Sequence, residues 1–122
     1  MRKAALIGAG AIAGEHIRAV HDAAPRIELV AAVDPKQEHI NAFCQTHAIP
    51  YAFTSTEEML NAVQPEVVII CTPPATHLPL SLLCLDAGAW VLCEKPLVGS
   101  LAELDVIEAA EARTGCYVAS VF

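Results

Sequence analysis

The chain has 122 residues, 55% of them apolar and 17% charged, with 14 acidic against 7 basic side chains and a net charge of −7. That length fits one domain, and the apolar content excludes a disordered chain. An acidic balance without a basic face excludes the counterion-release chemistry of nucleic-acid binding.

Elements of two kinds alternate along the chain. Lys3–Ile7 is a short apolar run and reads as a strand. Its neighbours Arg2 and Lys3 give it a superficial likeness to a signal peptide, but Gly8, Gly10 and Gly14 break the run at once. Ala13, Ile17, Val20 and Ala24 then share one face of a helix over 11–24, stopped by Pro25. Glu28–Val33 is apolar on both sides, as a strand buried in a parallel sheet is. Asp34 and Pro35 suit the N-cap and first position of a second helix running to His47. Tyr51–Phe53 reads as an edge strand, and Ser55 with Glu58 forms a capping box for a short helix ended by Pro65.

Val67–Cys71 is another continuous apolar strand, followed by the rigid loop Thr72-Pro73-Pro74. Thr76 to Ala87 reads as a helix closed by Gly88. Trp90–Cys93 is a strand left abruptly through Glu94-Lys95-Pro96. Ser100 with Glu103 caps a helix to Arg113, and Tyr117–Val121 is the last strand. Strand–helix alternation with short loops predicts an α/β, doubly wound, mostly parallel sheet in one domain over 1–122. The chain stops on a strand with no tail, an ending expected of a unit cut from something longer. No apolar stretch reaches the ~18–20 residues of a membrane span. The five cysteines (Cys44, Cys71, Cys84, Cys93, Cys116) are odd in number, sit inside apolar runs and contain no C-x-x-C pair. A disulfide frame, a zinc site and a dithiol motif are therefore unsupported, and a reduced, cytoplasmic setting is expected.

Gly8-Ala9-Gly10-Ala11-Ile12-Ala13 fits the pattern G-x-G-x-x-G/A between the first strand and the first helix. Gly8 permits the tight turn, Gly10 lets a diphosphate approach the backbone, and Ala13 lets the helix pack close on the sheet. Free amides and the helix N-terminus then face the phosphates. Asp34, at the end of the second strand, is placed to accept hydrogen bonds from ribose hydroxyls and to repel a 2′-phosphate, which points to NAD over NADP. The plainer reading of Asp34 is a helix cap, and the two roles are compatible. A methyltransferase also carries a glycine loop and an acid at these places, but its usual loop is G-x-G-x-G, and position 12 here is Ile.

Ligands on such sheets bind beyond the carboxyl ends of the strands, where two further loops lie. Cys71-Thr72-Pro73-Pro74-Ala75-Thr76-His77 has prolines that remove donors and fix its path, leaving a flat apolar shelf. Cys93-Glu94-Lys95-Pro96 sets a lysine at a strand end, where burial would favour its neutral form and suit it to acid–base work. Lys95 pairing with Glu94 is the simpler alternative. For His77 it is a polar cap or packing role, and His16 reads as structural. Cys71 and Cys93 read as small apolar fillers, with no base placed to activate them.

Together these loops resemble the glucose–fructose oxidoreductase / inositol dehydrogenase / rhizopine-catabolism (Gfo/Idh/MocA) family over the whole chain. The glycine loop with His16, Leu29-Val30-Ala31-Ala32-Val33-Asp34, the 71–77 loop, and Ala87-Gly88-Ala89-Trp90-Val91-Leu92-Cys93-Glu94-Lys95-Pro96 fall in the family's order and spacing. The family usually has Gly where Ala13 stands. The resemblance implies a Rossmann domain binding a nicotinamide dinucleotide through Gly8, Gly10, Ala11, Ile12, Ala13, Asp34, Thr72, Pro73, Pro74, His77, Glu94 and Lys95. It further implies a second α/β domain, absent here, that completes the pocket for a sugar, cyclitol or related substrate. Lys95 is the implied proton-transfer residue, and its bond to Pro96 can be cis. Val121-Phe122 matches the crossing to that second domain, so the chain alone is expected to be inactive. A non-catalytic dinucleotide sensor and, more distantly, an S-adenosylmethionine-dependent methyltransferase are the other readings. The nearly all-apolar stretch Leu78–Leu85 suggests a surface that a partner or a second copy covers.

Overall fold

The computed structural model describes residues 2–23 and 26–120. The expected helix end at Ala24 and Pro25, the end of the last strand at Val121, and the crossing at Val121-Phe122 lie outside those residues. Among the described residues six strands, β1 (Arg2–Ile7), β2 (Ile27–Val33), β3 (Tyr51–Phe53), β4 (Val67–Ile70), β5 (Trp90–Cys93) and β6 (Val118–Ser120), form one sheet in the order β3-β2-β1-β4-β5-β6. Every pairing is parallel. This is the doubly wound Rossmann order, with its reversal between β1 and β4.

Among the described residues five helices, α1 (Ala13–Asp22), α2 (Gln37–His47), α3 (Thr56–Val63), α4 (His77–Asp86) and α5 (Leu101–Thr114), connect the strands. The period of two along a strand sends successive side chains to opposite layers. Ile69 joins Leu6 and Ala32 in one core, with Ala13, Ile17 and Val20 of α1 and Ile40 and Cys44 of α2. Val68 and Ile70 join Val91 and Cys93 in the other, with Met59 and Leu60 of α3, Cys84 and Leu85 of α4, and Ala110 of α5. The central strands are therefore apolar on both faces because both faces are covered.

Two helix starts differ from the expectation. α1 begins at Ala13, two residues late, because Ala11 and Ile12 form a turn in which the Ala13 amide donates to Gly10 O. α2 begins at Gln37 after Lys36, with no side-chain cap, so Asp34 is not its N-cap and Pro35 is not its first residue. The Asp34 carboxylate instead accepts the Lys36 amide at 3.2 Å, a local turn that competes with capping. Both capping hydroxyls are as expected: Ser55 Oγ accepts from the Glu58 amide and Ser100 Oγ from the Glu103 amide. The Glu103 carboxylate, however, accepts the Gly99 amide and not that of Ser100.

β4 stops at Ile70, and a 3₁₀ turn over Pro74–Thr76 leads into α4. α4 ends at Asp86, with Ala87 as its C-cap and Gly88 at φ +84 beyond it. Its apolar surface is largely covered by the chain itself: Cys84 and Leu85 are buried, Leu80 and Leu82 pack on the same core, and Leu83 is exposed. No helix among the described residues is long and apolar enough to cross a membrane.

Candidate functional site

The carboxyl ends of β1, β2, β3 and β4 open into one cavity of about 720 Å³. Gly8, Gly10, Asp34, Thr72 and Pro73 all line it. So do Pro35, Thr54, Thr56 and Leu80, none of which the sequence marks as a ligand contact. Thr54 and Thr56 follow β3, so the rule that places ligands beyond strand ends could have found them had it been applied to that strand too.

Gly8 has φ +96, and a Cβ there would stand 2.9 Å from the carbonyl carbon and oxygen of Cys71. The turn after β1 thus runs against the start of the β4 loop, which only glycine allows. At Gly10 the space is open, with no atom within 4 Å of a Cβ. Ala11 and Ile12 are exposed beside it, and Ala13 is fully buried beneath. The amides of Gly10, Ala11 and Ile12 donate to no group among the described residues, and no side chain caps α1. Three free donors therefore stand at the N-terminal end of α1, beside the cavity that Gly10 lines, an arrangement suited to an anion.

The loop is held from two sides. The Ala9 amide donates to Asp34 Oδ2 at 3.3 Å, and Ala9 O lies 2.9 Å from His39 Nε2. With Oδ1 on the Lys36 amide, the Asp34 carboxylate is fixed in orientation, yet each oxygen keeps a further lone pair for a ligand. On the opposite wall, Thr76 Oγ1 lies 2.6 Å from Thr72 Oγ1 and 2.7 Å from Pro73 O, which sets the loop path. Cys71 also lines the cavity. Burial, with the Glu94 carboxylate and the Cys93 thiol nearby, pushes its thiol up to about 12. A neutral thiol is an apolar wall and not a nucleophile. No group of three potential metal ligands occurs among the described residues.

The other expected residues, Ala11, Ile12 and Ala13 among them, lie outside that lining. Pro74 is exposed at the start of the 3₁₀ turn. His77 is 1% exposed, and both ring nitrogens lie 2.7 Å from carbonyl oxygens, those of Pro96 and Thr72. Its ring thus faces backbone and offers no atom to the cavity, which corrects its expected role as a direct contact. Glu94 is tied by Oε1 to His16 Nε2 at 2.6 Å and does not pair with Lys95. Lys95 is exposed, contrary to the burial expected, because none of the described residues covers it. The Lys95–Pro96 peptide is cis.

A family model described as "Oxidoreductase family, NAD-binding Rossmann fold" (GFO_IDH_MocA) matches residues 2–122. Among relatives, the trans-1,2-dihydrobenzene-1,2-diol dehydrogenase of Oryctolagus cuniculus is 40% identical over 111 residues, 89% of this chain and 33% of that protein. The D-glucoside 3-dehydrogenase of Escherichia coli is 33% identical over 94 residues, 77% of this chain and 27% of that protein. The crystal structure of the WlbA dehydrogenase from Chromobacterium violaceum, in complex with NADH and UDP-GlcNAcA, superposes with a TM-score of 0.91 at 27% identity. That match covers 98% of this chain and 34% of the other. The chain therefore spans about a third of the length of these proteins.

Proposed function

The chain belongs to the Gfo/Idh/MocA oxidoreductase family, and from that premise we propose that it is the NAD-binding part of a dehydrogenase acting on a sugar, cyclitol or related small molecule. The observation that carries the reading is an oriented carboxylate at Asp34 and the glycine turn at Gly8 and Gly10 on one cavity, with the unpaired amides of Gly10, Ala11 and Ile12 following that turn. The amides suit the diphosphate and the carboxylate suits the adenosine ribose, with a 2′-phosphate repelled. Bound there, the nicotinamide supplies hydride transfer to or from a carbon bearing a hydroxyl or carbonyl.

The chain's own residues supply binding, orientation and the proton. Gly8 and Gly10 let the backbone approach the ligand, Thr72 and Pro73 wall the opposite side, and Lys95 assists proton transfer at the substrate oxygen. The names of the relatives support the substrate class: a glucoside and a dihydrodiol for two of them, and a UDP-linked sugar acid in the WlbA crystal. Lys95 is exposed in this chain, so the pocket that brings substrate to it is formed with further polypeptide. The 122-residue chain by itself binds coenzyme and turns nothing over.

Two assays test this. Titration with NADH, NADPH and S-adenosylmethionine is expected to show saturable binding tightest for NADH. Incubation with NAD and a panel of cyclitols and glycosides is expected to give no absorbance gain at 340 nm. Binding of S-adenosylmethionine alone overturns the coenzyme assignment, and steady turnover overturns the division of labour.

A further inference from the structure

Lys95 stands between two anchors supplied by histidines of other elements. On its amino side, the Glu94 amide donates to Ile70 O at 3.0 Å and the Glu94 carboxylate meets His16 Nε2 at 2.6 Å. On its carboxyl side, Pro96 O lies 2.7 Å from His77 Nδ1. The other ring nitrogen of His77 lies 2.7 Å from Thr72 O, in the wall of the nucleotide cavity. Lys95 itself makes no hydrogen bond or ion pair among the described residues.

We propose that His77 is a positioning residue that fixes the Lys95 turn to the Thr72 wall of the nucleotide cavity. The inference rests on the reading of Lys95 and of that cavity given above. The two loops need such a tie because Pro73, Pro74 and Pro96 carry no amide to donate, so their backbones can do little of the holding themselves. Carbonyl oxygens only accept. The ring therefore satisfies both loops when each nitrogen carries a proton, and holds one of them when only one does. Burial at 1% exposure shields both contacts from competing water. The consequence is geometric: the distance from the coenzyme wall to the lysine is set through one rigid ring. A reacting group is sensitive to placement at the scale of 1 Å, worth about a hundredfold in rate.

Two substitutions separate the contacts. The side-chain amide nitrogen of Asn stands near the place of Nδ1, and that of Gln near the place of Nε2. In the 122-residue chain, His77→Asn is expected to keep the Pro96 carbonyl ¹³C resonance and shift that of Thr72. His77→Gln is expected to do the reverse. NADH affinity is expected to fall about three- to tenfold in His77→Asn, the scale of one lost hydrogen bond, and less than twofold in His77→Gln. A structural role alone would move both carbonyls together in both variants, and that result, or no movement in either, overturns the proposal. If the variants do not fold, through-hydrogen-bond couplings from the His77 ring to the two carbonyls of the wild-type chain decide the matter, and their absence overturns it. Failure of wild-type NADH binding would strike the function reading, while the carbonyl shifts would still report the tie.

Discussion

The Ala9 amide donates to Asp34 Oδ2 at 3.3 Å, so the glycine loop after β1 and the carboxylate after β2 are one hydrogen-bonded unit. The carboxylate that would hold a ribose also shapes the loop that would hold a diphosphate. Asp34→Ala therefore removes a ribose acceptor and leaves the Ala9 and Lys36 amides without their partner. NADH affinity should fall about tenfold or more, the scale of a hydrogen bond to a charged group, while NADPH affinity falls less because the repulsion is gone. Fluorescence titration of both coenzymes checks the pair of changes, and an unchanged NADH/NADPH ratio contradicts the role given to Asp34.

The two glycines of the loop should respond oppositely. Gly8→Ala forces an L residue to φ +96 and drives its Cβ to 2.9 Å from the Cys71 backbone. The conformation alone costs about 1–3 kcal/mol and the clash adds to it. Gly10→Ala meets no atom of the chain, so denaturant unfolding should show little loss while NADH binding weakens. Equal stability losses at the two positions contradict this account.

Much of this was legible from sequence because parallel strands buried on both faces read as continuous apolar runs, and Val67–Ile70 and Trp90–Cys93 are such runs. Ser55, Ser100 and Gly88 marked helix ends through chemistry that acts within a few residues. The misreadings came where a longer-range contact won. Asp34 looks like a cap, but one oxygen takes the Lys36 amide of its own turn and the other the Ala9 amide, 25 residues away. The His16–Glu94 pair spans 78 positions and the His39–Ala9 contact spans 30, and no local pattern announces either. Lys95 was expected to be buried because a strand end usually is, yet no element among the described residues covers it.

Three thiols, those of buried Cys84 and Cys93 and of half-buried Cys71, should make the fold sensitive to alkali. Burial pushes Cys71 and Cys84 up to about 12 and Cys93 up to about 11, from an ordinary value of 9.0. The folded state thus holds these protons more tightly than the unfolded chain. Their contribution is fully present below pH 9.0 and is lost as pH rises from there toward 11–12. Tm should fall progressively above pH 9, and a thiol-reactive disulfide should label these three positions slowly at pH 8 until denaturant is added. Rapid native labelling of Cys71 contradicts the account.

Ser81 of α4 is fully buried, and its Oγ has no hydrogen-bond partner of good geometry among the described residues. Its polar neighbour is the Cys93 thiol, a weak partner. Ser81→Ala removes a buried hydroxyl that gains little, so stability should rise by up to about 1 kcal/mol. Urea unfolding measures it, and a loss above about 1 kcal/mol would show that the hydroxyl is well satisfied.

The most direct test of coenzyme binding is the ¹H–¹⁵N spectrum of the chain titrated with NADH. The account predicts that the amides of Gly10, Ala11 and Ile12 shift first and furthest, together with those beside Asp34, as free donors gain phosphate oxygens. Saturating NADH that leaves those three amides where they were, or moves only residues remote from the cavity, contradicts it.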